Sequence, residues 1–140
     1  TYVAAMAEVA VDPRNGAVEV QRVVCAQDMG IVINPQGATL QVEGCVTMGL
    51  GYALSEEVHF RGGQILDTNF DRYELPRFSA VPKIETVLIE ANDIPPQGGG
   101  EPAVIVMGGV IANAIHDATG ARVRRMPMTP ARVKAAREES

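Results

Sequence analysis

Gly98, Gly99 and Gly100 run directly into Glu101-Pro102, and an apolar stretch with helical spacing follows at once. No other feature constrains the fold of this chain as tightly. A glycine backbone can turn sharply and press close to a neighbour or a ligand. Proline has a fixed φ that suits the first position of a helix. Glu101 therefore stands at or beside a helix N-cap. Glutamate is not a preferred N-cap residue, so capping explains it poorly. A carboxylate presented in this way reads as a general base, or as a ligand to a cation or polar group. The competing structural reading is a turn carrying a solvated glutamate.

The segments before this junction alternate as strands. Tyr2 to Val11 is rich in strand formers, Asp12-Pro13-Arg14-Asn15-Gly16 is a strong turn signal, and Val18 to Ala26 resumes the alternation. This predicts a β-hairpin. Asp28-Met29-Gly30 and Asn34-Pro35 mark a loop. From about Gly37 to Val58 the period becomes helical, with Val42, Val46, Leu50, Leu54 and Val58 on one stripe. Gln41, Gly44, Met48, Gly51 and Ser55 form a second stripe. Each glycine costs a helix about 1 kcal/mol relative to alanine, so Gly44, Gly49 and Gly51 imply close approach to that helix. The partner is either another element of the fold or a ligand near Gln41.

Arg61 to Gln64 reads as a turn, Ile65 to Tyr73 as an extended stretch, and Ile84 to Glu90 as a strand. A second helix is predicted over Pro102–Thr119, largely buried, with Gly120 placed to end it. Ala121 to Met128 reads as a short extended segment, and Thr129-Pro130 opens a last short helix to about Arg137. The order predicts an α+β fold: a β-hairpin and further strands in a mixed sheet, two main helices packed on it, and a short C-terminal helix. Residues 1–140 are expected to be a single domain. The abrupt strand at Thr1-Tyr2-Val3 suggests a segment of something longer.

Composition narrows the function classes. The chain has 140 residues and a formal net charge of −5, so it lacks the basic face of a nucleic-acid binder. Arg122, Arg124 and Arg125 follow a helix C-terminus, where cations are favoured anyway. Cys25 and Cys45 have no neighbours at metal-ligand spacing, so both read as small core residues, and no metal ligand is assigned. His116 is read as structural or solvent-facing. No run of about twenty apolar residues and no signal-peptide pattern is seen, so no membrane span is expected.

Gln41-Val42-Glu43-Gly44, Asp71-Arg72-Tyr73-Glu74-Leu75-Pro76 and Gly100-Glu101-Pro102, in this order, resemble one family. From Tyr2 to about Ala136 the chain is similar to the C-terminal part of the large, molybdopterin-binding subunit of the molybdenum hydroxylases. These include xanthine dehydrogenase and the aldehyde oxidoreductases, and the isoquinoline 1-oxidoreductase type is the nearest in motif. The resemblance implies a molybdopterin, in its cytosine dinucleotide form, whose dithiolene holds molybdenum without a protein ligand. It assigns Glu101 as the base that takes a proton from the metal-bound hydroxide. It places Gln41 against the pterin, and Gly99 and Gly100 beside the metal centre, while no catalytic role carries over to Glu43. The implied reaction is hydroxylation of an N-heteroaromatic or aldehyde substrate, with water as the oxygen source.

The same resemblance implies partners: the rest of the large subunit, and [2Fe–2S] clusters on an iron–sulfur subunit or domain. The chain alone is then expected to be inactive and to self-associate through faces meant for those partners. Bacterial cytoplasm and periplasm both remain open as locations. After Gly-Glu-Pro, relatives often continue with glycine and proline, whereas this chain continues Ala103-Val104-Ile105-Val106-Met107, so a different approach to the helix and a different pocket shape beside Glu101 are expected. Two rival functions stay in view. A phosphate site at the glycine loop is disfavoured by the carboxylate at the helix start. A scaffold or interaction domain that merely retains the motifs is the other.

Overall fold

The computed structural model describes residues 1–139. Its strands are β1 (Tyr2–Val11), β2 (Val18–Asp28), β3 (Phe60–Arg61), β4 (Gln64–Ile65) and β5 (Lys83–Leu88). Its helices are α1 (Pro35–Leu54), α2 (Pro102–Thr119) and α3 (Pro130–Glu138). The main sheet has the order β1-β2-β5, antiparallel between β1 and β2 and parallel between β2 and β5. The predicted α+β architecture is what forms, with α1 and α2 packed on the sheet.

Strand alternation decides which face they cover. Val3, Ala5, Ala7, Val9 and Val11 of β1 point to the core with Val20, Val23 and Cys25 of β2. The opposite face carries Tyr2, 78% exposed, and Met6, 67% exposed. Arg22 crosses that face to pair with Glu8 at 3.1 Å and Glu85 at 2.9 Å. Helix α1 seals the inner face with Val42, Cys45, Val46, Leu50 and Ala53, and α2 with Ala103, Met107, Ile111 and Ile115. Burial of this apolar surface, at about 25 cal/mol per Å², is the main force holding the layers together.

Helix α1 starts and stops earlier than the spacing predicts. Asn34, which reads from sequence as part of a loop, is its N-cap: Asn34 Oδ1 accepts from the Gly37 N–H at 2.9 Å, and Pro35 takes the first turn. The helix ends at Leu54 because the Ser55 and Glu56 N–H groups both fold back onto the Gly51 carbonyl. Val58 consequently lies outside it and is exposed. The bounds predicted for α2 hold, and Gly120 ends it at φ 77° with its N–H on the His116 carbonyl. That helix is less buried than predicted, since Val110 and Ala114 are only half-covered and Ile105 faces out. By length and mean hydropathy α2 is apolar enough to cross a membrane, but its stripe packs on the sheet and α1 as a core helix does.

The stretch after Gly63 is extended only at Gln64–Ile65 and then turns at Asn69, whose carbonyl accepts from Arg72 and Tyr73. Residues 121–128 form no strand; Ala121, Val123 and Met128 are nevertheless buried. Helix α3 begins at Pro130 after Thr129, as expected, but the Thr129 side chain makes no capping bond.

Candidate functional site

The glycine loop has no regular backbone ladder. Its shape comes from side chains that grip three successive carbonyls. The Thr1 hydroxyl donates to the Gly98 carbonyl. Gln27 Nε2 donates to the Gly99 carbonyl at 3.2 Å. Gln41 Nε2 and Cys45 Sγ both donate to the Gly100 carbonyl, at 2.6 Å and 3.1 Å. The Gln97 N–H, on the Met29 carbonyl at 2.8 Å, ties down the entry to the loop.

These bonds bring together residues far apart in the chain. Gln41 lies on the first turns of α1, and Glu101 caps the start of α2, one residue after the carbonyl that Gln41 holds. Of the residues assigned from sequence, Gln41, Gly99, Gly100 and Glu101 thus form one cluster. Within it Gly99 faces inward: a Cβ there would lie 2.7 Å from Met29 Sδ. Gly98 and Gly100 face open space, as does Gly44 one turn along α1. Glu101 sits at φ −127°, is exposed, and its side chain makes no capping bond. Its carboxylate is therefore not consumed in stabilising its own helix.

The polar groups left over suit a flat, hydrogen-bonding heterocycle. Gln41 retains its amide oxygen as an acceptor. The N–H groups of Gly99, Gly100 and Glu101 have no partner among the described residues. Open space beside Gly44 and Gly100 allows close approach. Among the described residues no cluster of His, Cys, Asp and Glu could hold a metal ion directly. A metal at this site would have to arrive on a cofactor. Burial, and then the neighbouring Cys45, pushes the Cys25 thiol up, which keeps it protonated and inert.

Two residues of the site are not evident from sequence. Cys45 reads as a core filler, and it is buried, but its thiol also holds the loop. Gln27 continues the inward alternation of Val23 and Cys25, and a polar residue at a core register is the one signal that points to it. The glycines of α1 divide by position. Gly49 packs against Met107, and Gly51 against Glu56 and Pro76, so for these two the approaching partner is the protein itself.

The molybdopterin cofactor-binding domain family matches residues 1–82, a span that includes Gln41 and stops short of Glu101. Over 135 residues the chain is 38% identical to a nicotinate dehydrogenase subunit of Pseudomonas putida, covering 96% of this chain and 11% of that protein. It is 36% identical over 130 residues to the beta subunit of isoquinoline 1-oxidoreductase from Brevundimonas diminuta, covering 93% and 16% respectively. The aldehyde oxidoreductase structure from Desulfovibrio gigas superimposes with a TM-score of 0.87 at 29% identity, over 98% of this chain and 15% of that one. The chain belongs to the molybdopterin cofactor-binding domain family of the molybdenum hydroxylases. It spans between about a tenth and a sixth of the length of these relatives.

Proposed function

We propose that this chain is the part of a molybdenum hydroxylase large subunit that supplies the base, Glu101, and part of the cofactor surface. The reaction it serves is oxidative hydroxylation of an N-heteroaromatic ring or an aldehyde, with water as the oxygen source. One observation supports this most directly: the 2.6 Å bond from Gln41 to the Gly100 carbonyl. It couples the segment matched by the cofactor-binding family to the loop that ends in Glu101.

A molybdenum–pterin group, in its cytosine dinucleotide form, would supply the two-electron oxidation. Gln41 would hold its edge through the free amide oxygen, with the Gly99–Gly100 backbone alongside. Glu101 accepts a proton at its carboxylate as the water-derived oxygen adds to the substrate carbon. A carboxylate serves as a base when its pKa approaches the working pH. Electrons leave through [2Fe–2S] clusters on a partner subunit or domain, and the rest of the large subunit completes the substrate pocket. Alone, the chain is inactive. The exposed Tyr2, Met6, Ile33, Phe60, Phe70 and Phe78 favour its self-association.

Glu101→Gln tests the reading, because it keeps the shape and removes the basic oxygen. In the assembled enzyme, molybdenum and pterin content should be unchanged while turnover falls by at least about 10²-fold. The loss should lie in the half-reaction that oxidises substrate. Near-normal turnover would remove Glu101 from the mechanism, and loss of molybdenum would make its role structural.

A further inference from the structure

We propose that Gln27 is a positioning residue for Glu101, holding the Gly99 carbonyl from the floor of the sheet and so fixing the peptides that lead to the carboxylate. The inference rests on the reading of Glu101 as the base. Gln27 is fully buried, at 0% exposure, and among the described residues it is the only polar residue buried as a whole. Its Nε2 donates to the Gly99 carbonyl at 3.2 Å, and its Oε1 has no partner. One end of the buried amide gains nothing from its position, so what the residue contributes is the bond that its Nε2 makes to the Gly99 carbonyl.

The loop gives the amide something to do. Four side chains set its path, and of these Gln27 is the most deeply buried and the least able to move. Its strand is fixed on both sides: β2 pairs with β1 and β5, and the Gln27 carbonyl accepts from the Ile89 N–H at 2.9 Å. Gly99 packs close to the Gln27 amide: a Cβ there would come within 3.3 Å of Gln27 Nε2 and 2.7 Å of Met29 Sδ. Only Gly100 stands between Gly99 and Glu101. With the Gly100 carbonyl held by Gln41 and Cys45, the Gly99 bond fixes the second of the two peptides that lead to the carboxylate.

The test uses the assembled enzyme carrying Gln27→Met, Glu101→Gln and the double change. Methionine keeps the volume and removes the donor. Gln27→Met should retain molybdenum and pterin and remain folded. Its kcat should fall by about tenfold to 10²-fold, the loss expected when a reacting group is misplaced by about 1 Å, with KM little changed. Its crystal structure should show the Gly99–Gly100 peptide rotated or in several conformers. In the Glu101→Gln background the Gln27 change should add nothing. Natural kcat with an undisturbed loop, or multiplicative losses in the double variant, would overturn the inference while leaving the base reading intact. Near-normal turnover of Glu101→Gln would overturn both. Should Gln27→Met not assemble, Gln27→Asn withdraws the amide by one methylene and must give the same kcat loss and loop displacement.

Discussion

Gly49 of α1 lies directly against Met107 of α2, so closely that a Cβ on Gly49 would stand 2.5 Å from Met107 Cγ. The two helices pack against each other here, and a larger residue at 49 would push them apart. The Val104 carbonyl, 3.3 Å from the same position, leaves little room to yield. The start of α2 carries Glu101, and the start of α1 carries Gln41. The Gly49–Met107 contact therefore fixes the spacing of the two arms of the site as well as the core.

Gly49→Ala should destabilise the protein by about 1–3 kcal/mol, the usual consequence of overpacking a filled core. Gly44→Ala is the control, because nothing lies within 4 Å of its Cβ position. On an exposed helix face, alanine for glycine stabilises by up to about 1 kcal/mol. Denaturant midpoints of the two variants should therefore move in opposite directions. A shift of the same sign at both positions would show that helix propensity, and not the helix contact, governs Gly49.

Acid should loosen the outer face of the sheet. The hydrogen bonds from Arg22, then those from Lys83, hold the Glu85 carboxyl well below its ordinary value of 4.5, at about 2. A depressed folded value means that the ionised form stabilises the fold. That contribution is fully present above about pH 4.5 and is lost as the pH falls toward 2. The melting temperature should drop across this window, and Glu85→Gln should start lower and fall less steeply. Parallel curves for the two proteins would show that other carboxylates dominate.

Alkali acts on the opposite end of α1. The Tyr73 hydroxyl donates to Glu56, and that bond, reinforced by loss of solvent, pushes the phenol up to about 12. A raised folded value reverses the sign: the stabilisation is present below the ordinary value of 10 and disappears as the pH rises through 12. Ultraviolet titration should show one of the three tyrosines ionising late, and Tyr73→Phe should abolish that late step. A titration with no late step would mean that the 71–76 segment is not held against α1.

Much of this is readable from residue order. The hairpin, the α+β class and the bounds of α2 follow from local signals: a strong turn, alternation, and a proline and glycine at the two helix ends. The start of α1 is also written in Asn34-Pro35, which serves as cap and first turn but reads equally well as a loop when taken with Gly30 and Gly37. The true partner of Gly49 is Met107, distant in sequence, so no local period could reveal it. The site shows the same division. Glu101 is conspicuous because a glycine run and a proline bracket it. Gln27 and Cys45 act through carbonyls more than fifty residues away; Cys45 looks like an ordinary core position, and the polar Gln27 at a core register gives no hint of its partner, until the sheet and α1 are assembled.

The two ends of the Gln41 amide differ, and this makes its replacement informative. Nε2 is committed to the Gly100 carbonyl, while Oε1 has no hydrogen-bond partner among the described residues. Gln41→Ala removes both. If the amide oxygen contacts the pterin, the lost pairing is worth about 1–3 kcal/mol. Cofactor affinity in the assembled enzyme should then fall about tenfold or more, read as lower molybdenum and pterin content after gel filtration. If the side chain serves only to hold the loop, cofactor content stays at the natural level and kcat alone declines, because Cys45 still grips the Gly100 carbonyl at 3.1 Å. Removing that second grip as well, with Cys45→Ala added to Gln41→Ala, should then deepen the kcat loss without changing cofactor content. A fall in molybdenum and pterin already present in Gln41→Ala, and not increased by Cys45→Ala, would instead assign the amide to the cofactor.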